Sequence, residues 1–195
     1  MLQHHDAPVT LAPNAKWADI GLLAFCELAA MALWFSASAV APSPILEFDL
    51  DSSRSAWLTS SVQIGFVAGT LTSVLFGLAD KVDSRRFFMA SALVAALANL
   101  GLLIVEPGSL ATITLRFVTG ICMAGIYPVG MKIAAGWANH DLGLLVGLLI
   151  GALTLGSAAP HLFNALGGID WRFTIGAASG AALVSALLIN FVTLG

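Results

Sequence analysis

The sequence predicts an all-α integral membrane protein, a six-transmembrane-helix bundle, and three observations carry that expectation. The chain of 195 residues is 58% hydrophobic and 10% charged, with a mean hydropathy of +0.93, too apolar to solvate the surface of a globular domain. Its apolar stretches each approach the roughly 20 residues a helix needs to cross about 30 Å of hydrocarbon. Six such stretches with short turns nearly exhaust the length, so no soluble domain fits. The net charge of −3 says little about partners, because the distribution of Lys and Arg over the loops is what matters in a membrane protein. The lipid bilayer is the first partner implied, and no nucleic-acid footprint is present.

Residues 1–16, with His4, His5, Asp6, Pro8 and Pro13, read as a disordered cytoplasmic tail without the basic start of a signal peptide. The first span, 17–41, is too long for a cleaved segment and ends at Pro42 and Pro44. An acidic outer loop follows with Glu47, Asp49, Asp51 and Arg54, then the second span at 55–78. A charged turn leads to the third span, 87–105, closed by the sharp outer turn Glu106-Pro107-Gly108. The fourth span, 109–137, returns to Ala138-Asn139-His140-Asp141. The fifth, 142–166, leads out to Gly167-Gly168-Ile169-Asp170, and the sixth is 171–194. Lys16, Lys81, Arg85, Arg86 and Lys132 fall at or near inner ends, against Arg54 and Arg172 at outer ends, which places both termini in the cytoplasm and the protein in the cell membrane. Cys26 and Cys122 lie inside spans and behave as small hydrophobes, implying neither a disulfide nor a metal site.

The charged turn Leu78-Ala79-Asp80-Lys81-Val82-Asp83-Ser84-Arg85-Arg86 holds the densest Lys/Arg cluster in the chain. It resembles the signature loop between the second and third helices of the major facilitator superfamily of secondary transporters, Gly-x-Leu-Ala-Asp-Arg-x-Gly-Arg-Arg. Asp80, Lys81 and Arg85 fall in register, whereas Phe76 stands for the first Gly, Asp83 for the second and Ser84 for the first of the two basic residues. Asp tolerates the left-handed backbone region, so Asp83 is expected to replace the second Gly there. By the resemblance, Asp80, Lys81, Arg85 and Arg86 form a conformational latch against an opposite half. The resemblance also implies two inverted three-helix repeats within these six helices, with solute held near the midplane.

Two ionisable residues lie deep in spans, Glu27 in the first and Arg116 in the fourth. A charge at such depth persists only when it is paired, wetted or turned into the bundle, and it marks a functional candidate. Counting residues from the span ends puts the two within reach of each other, so they are expected to be neighbours. Arg116-Phe117-Val118-Thr119-Gly120, with Gly125 and Tyr127-Pro128 beyond, is similar to the superfamily's fourth-helix motif. That similarity implies a fixed positive charge at Arg116 and a titrating partner or solute counter-ion at Glu27; the alternative is an ion pair that only holds two helices together. Thr59, Gln63, Thr70 and Ser73 share one face of the second helix and either line an aqueous path or bond between helices. Asn99 reads as interhelical hydrogen-bonding glue. Pro128 should kink the fourth helix beside Tyr127 and turn a carbonyl toward a cavity.

Gly143, Gly147 and Gly151 recur at four-residue spacing, followed by Gly156 and Pro160. Such stripes let helix backbones approach closely. The arrangement resembles the superfamily's glycine-rich fifth-helix motif at the interface between halves, without its Gly-Pro pair. The resemblance as a whole covers one six-helix half, and leaves open a fragment, a subunit that pairs with a separate C-terminal half, or a second copy acting as that half. The function expected is secondary transport of a small solute on a proton or solute gradient. The alternative is a non-transporting six-helix scaffold that associates with another membrane protein. No nucleophile elbow, paired catalytic Asp or His-Glu-x-x-His motif is present, so an enzyme is disfavoured, and neither a cofactor nor a metal is implied.

Overall fold

The computed structural model describes residues 13–40, 47–48, 50–167 and 170–195. The tail before residue 13, Pro42 and Pro44, Asp49, and Gly168 with Ile169 lie outside the described residues. The described chain is all helical: α1 Pro13–Val40, α2 Ser52–Phe76, α3 Ser84–Gly101, α4 Leu110–Met123, α5 Tyr127–Gly136, α6 Leu142–Gly167 and α7 Trp171–Leu188, with a one-turn helix Leu78–Lys81 between α2 and α3. Five segments are long and apolar enough to cross a membrane: Lys16–Val40, Ser52–Phe76, Leu110–Gly136, Leu142–Leu166 and Trp171–Phe191. The helix at the third span, α3, stands outside that set because Arg85 and Arg86 form its first turn.

Polar residues in the turns set the helix starts by accepting backbone N–H bonds that hydrocarbon cannot satisfy. Asp51 accepts from Arg54 N at 2.7 Å, Asp83 from the N–H groups of Arg85 and Arg86, Ser109 from Thr112 N at 3.3 Å, and Asp170 from Arg172 N at 2.9 Å. The cap at Asp83 moves the start of α3 ahead of the expected 87. At the other end the helix closes at Gly101, where Leu102, Leu103 and Ile104 each bond three residues back, ahead of the expected 105. The backbone at Asp83 has φ −53°, so the left-handed turn expected there is absent. It falls at Gly77, with φ 60°, whose N–H closes α2 onto Ser73 and Val74. Gly108 supplies a second glycine with positive φ, 76°, in the Glu106-Pro107-Gly108 turn, and His140 has φ 63° in the loop before α6.

The fourth span is two helices. Pro128 has no N–H to give to Ala124, and Ala124, Gly125 and Ile126 each bond three residues back instead of four, so the axis breaks between α4 and α5.

Packing relates the first three spans to the last three. The first span, α1, lies on the fifth, α6, as the fourth lies on the second, α2. The first also lies on the sixth, α7, as the fourth lies on the third, α3, and α3 packs on α7. Exchanging the two triplets returns each of these neighbours, as in an inverted repeat, although α6 also packs on α7 where α2 and α3 have no contact of like extent. Small side chains permit the closest approaches: Ala92, Ala95 and Ala96 of α3 and Ala178, Ala182 and Ala186 of α7 are all buried. Asn99 ties three helices, accepting from Ser36 at 2.9 Å and donating to Ser179 at 3.0 Å and the Ile175 carbonyl at 3.3 Å.

The tightest crossing is α2 on α4. A methyl group on Gly69 would lie 2.6 Å from the Ile121 carbonyl oxygen, and one on Gly120 would lie 2.8 Å from the Val62 carbonyl carbon. At the related crossing, Gly156 of α6 meets the Leu28 carbonyl of α1, with a methyl group there falling 2.8 Å from its oxygen. Gly143, Gly147 and Gly151 pack on nothing: added methyl groups would have no neighbour within 4 Å. The close packing expected of the whole stripe is therefore confined, within this chain, to Gly156. Gly120→Val is expected to lower the stability of the bundle by about 1–3 kcal/mol through overpacking, and Gly147→Val to change it by about 0.5 kcal/mol or less. Thermal unfolding of both variants in one detergent checks this, and equal losses would contradict it.

Candidate functional site

Arg116 sits on α4, fully buried, and its guanidinium spans two other helices. Nε donates to the Leu58 carbonyl of α2 at 3.1 Å, Nη1 to the Leu33 carbonyl of α1 at 3.1 Å and Nη2 to the Trp34 carbonyl of α1 at 2.7 Å. Charge-assisted bonds to three carbonyl dipoles replace the counter-ion that a buried Arg otherwise needs.

Glu27 is not that counter-ion. No ion pair joins them among the described residues, and both Glu27 oxygens are buried without a hydrogen-bond partner. The expectation that the two are neighbours fails on depth. Arg116 meets α1 at Leu33, six residues beyond Glu27. Six residues are about 9 Å of helix rise, more than counting from span ends allowed for.

Glu27 instead faces α5. A methyl group on Gly130 would overlap its Oε1, so the glycine provides the space the carboxyl occupies. Met31 stands one turn along α1 from Glu27, and Tyr127 one turn before Gly130 on α5. Both line a cavity of about 450 Å³. The carboxyl thus lies one turn below the cavity floor, against the half of the fourth span that follows the break. An ionised carboxylate without a partner is costly in hydrocarbon, so this environment tolerates the neutral acid.

Trp34, Phe35, Phe66 and Tyr127 give the cavity its aromatic wall, with Trp34 and Phe66 edge-to-face at 5.0 Å. Gln63, Thr154 and Ser157 add polar groups. The polar face expected along α2 is divided: Gln63 lines this cavity, Thr70 and Ser73 line a second of about 210 Å³ beside Asp80 and Pro128, and Thr59 lines neither. Trp34 and Phe66 escaped the sequence reading because an aromatic residue in an apolar span gives no signal of its own. Thr154 and Ser157 gave none either, because a hydroxyl that can bond a carbonyl of its own helix does not show from sequence which face it serves. For Gly65 and Gly69 a signal existed in their four-residue spacing.

The loop candidates gather at one end of the bundle. Asp80 pairs with Lys132 of α5 at 2.7 Å, and Lys132 also donates to the Ala79 carbonyl. The hydrogen bond from Lys132 to Asp80, and then the ammonium charge, hold the Asp80 carboxyl below its ordinary range. The backbone N–H of Arg86 is the main cause that lowers Asp83. Arg85 reaches Asp83 at 3.6 Å and the Val192 carbonyl at 3.4 Å, while the Lys81 and Arg86 side chains have no ion-pair partner among the described residues. Lys16 bonds Asp141 at 2.6 Å, which likewise lowers that carboxyl, and Asp19, expected only to favour a helix N-terminus, accepts from the Thr193 backbone N–H at 3.2 Å and from its hydroxyl. Gly143, Gly147 and Gly151 lie on the open face of α6, and Gly156 is buried on α1.

A family model described as Major Facilitator Superfamily matches residues 23–194, an interval that holds Glu27, Arg116, the cavity and the loop. No curated protein matches the chain.

Because Asp80 is depressed in the fold, what its pair with Lys132 contributes is present above the ordinary Asp range and is lost as pH falls through the lowered value. Lys132→Ala is expected to move the Asp80 titration up toward that ordinary range. Carboxyl-carbon NMR of Asp80 in the two proteins measures it, and an unchanged midpoint would show that the pair does not form in solution.

Proposed function

The chain belongs to the major facilitator superfamily, whose members move solutes across membranes, and from that membership we propose that it is one half of a proton-coupled secondary transporter in which Glu27 carries the proton. The observation behind this is the unpartnered carboxyl. A group that must hold and release a proton needs an environment in which neither state is locked by a counter-ion, and Glu27 has none among the described residues. Its place against α5, just past the break in the fourth span, sets it beside a span divided into two helices. Uptake of solute and movement at the break would then change the access of Glu27 to water.

Arg116 has a different part in this proposal from the one its sequence motif implied. Its three carbonyl bonds make it a positioning residue that holds α1, α2 and α4 at one geometry. The basic end, with Lys16, Lys81, Arg85, Arg86 and Lys132, faces the cytoplasm under the positive-inside rule, and an even number of spans puts both termini there. The open faces of α2 and α6 receive a C-terminal six-helix half or a second copy, and Asp80, Lys81, Arg85 and Arg86 latch against it. The exposure of Val67, Leu71, Val74 and Leu75 on α2 and of Leu144, Leu148 and Leu155 on α6 supports that assignment.

Infrared difference spectroscopy tests the proton site without a known solute. A protonated carboxylic-acid band at neutral pH is expected, lost in Glu27→Gln and retained in Arg116→Ala, which instead loses about 2–4 kcal/mol of stability with its carbonyl bonds. Survival of the band in Glu27→Gln would assign the proton elsewhere. For the partner face, Gly147→Trp is expected to leave the bundle folded and to abolish its association with a second half or copy, as read by mass in detergent. Undiminished association would place the interface on another surface.

A further inference from the structure

The charges of this protein are withheld from its cavity, and that restricts what the cavity can take. Arg116 is fully buried with its donors on three carbonyls, and Glu27 is fully buried behind Met31 and Tyr127. Among the described residues no Asp, Glu, Lys or Arg lines the 450 Å³ space. An ion entering it would give up its hydration with no opposite charge to meet.

What the wall offers is aromatic surface and a few neutral hydrogen-bonding groups. Trp34 and Phe66 stand edge-to-face at one side, with Phe35 and Tyr127 beside them. The Thr154 and Ser157 hydroxyls donate back to their own helix, to the Ile150 carbonyl at 2.9 Å and the Thr154 carbonyl at 2.6 Å, so they present only lone pairs. The Trp34 indole N–H, the Tyr127 hydroxyl and the Gln63 amide have no hydrogen-bond partner among the described residues. We infer that the part of the solute held against these six helices is an uncharged, flat aromatic group bearing one or two hydroxyl or amide substituents. Its ring stacks on the Trp34–Phe66 wall, and its polar groups meet Gln63 on one helix and the Thr154 and Ser157 oxygens on another. The size agrees, since ligand cavities run about 300–1,000 Å³. This inference rests on the transport reading above and adds the substrate class to it.

The test uses three probes that share one ring system and differ in charge at neutral pH: 2-naphthol, 2-naphthoate and 2-naphthylmethylammonium. Each is equilibrated by dialysis against the purified full chain in detergent. Saturable binding of 2-naphthol, about tenfold or more tighter than either ion, is expected. Gln63→Leu, at an exposed position that does not disturb packing, should weaken 2-naphthol about fivefold and leave naphthalene itself unchanged. Tighter binding of the naphthoate would mean that Arg116 reaches the solute and would overturn the inference. Tightest binding of the ammonium would overturn it too, whether through cation–π contact with the aromatic wall or through the Glu27 charge, and so would the absence of saturable binding by 2-naphthol. Flux into proteoliposomes separates the two proposals. With the second half or copy assembled in the same vesicles, binding of 2-naphthol without saturable, protein-dependent flux removes transport and keeps the ligand class, whereas saturable flux of the naphthoate keeps transport and removes the class.

Discussion

Arg116 organises the bundle because hydrocarbon leaves its guanidinium nowhere else to go. Without water or an acid beside it, the group must take its acceptors from backbone, and it finds them on two neighbouring helices at once. The three bonds hold α1, α2 and α4 at one level, and that level sets where Trp34 and Gln63 stand around the cavity. Association of helices in lipid has no hydrophobic drive, so polar contacts of this kind, with the Asn99 bridge among α1, α3 and α7, act beside close van der Waals packing in holding the bundle.

The glycines divide into two kinds with opposite consequences. Gly65, Gly69, Gly120 and Gly156 lie under another helix's backbone, and they occur at the two crossings that the exchange of triplets relates, α2 on α4 and α6 on α1. Gly143, Gly147 and Gly151 stay open, on a helix that is among the least buried in the bundle. The same residue type at similar spacing thus closes the fold in one place and leaves a backbone-level surface uncovered in another. Only the first kind stabilises the six helices by themselves.

Separation of Arg116 from Glu27 changes what each can do. A paired Arg and Glu would neutralise one another and leave the proton locked to the geometry of the pair. Held apart, the Arg is a permanent structural charge and the Glu an isolated acid beside a broken helix. The cavity above it inherits neither charge. Its character is set by Trp34, Phe66 and Tyr127, residues whose bulk rather than polarity brings them to the helix interface.

The succession of apolar helices and the break at Pro128 were legible in the sequence, because hydropathy and the missing proline N–H act over a few residues and need no partner. So was the interest of Glu27 and Arg116, since a charge in an apolar span is conspicuous wherever it packs. Asp83 shows the limit of motif register: it stands where a glycine is usual, yet it works as a cap, and Gly77 makes the left-handed turn. Tertiary structure alone decided that Arg116 reaches the Leu33, Trp34 and Leu58 carbonyls rather than Glu27, that Gly130 opposes the carboxyl, and which glycines are covered. Relative depth and rotation of packed helices decide these contacts, and both depend on small differences accumulated over many turns, which residue counting along a single span does not contain.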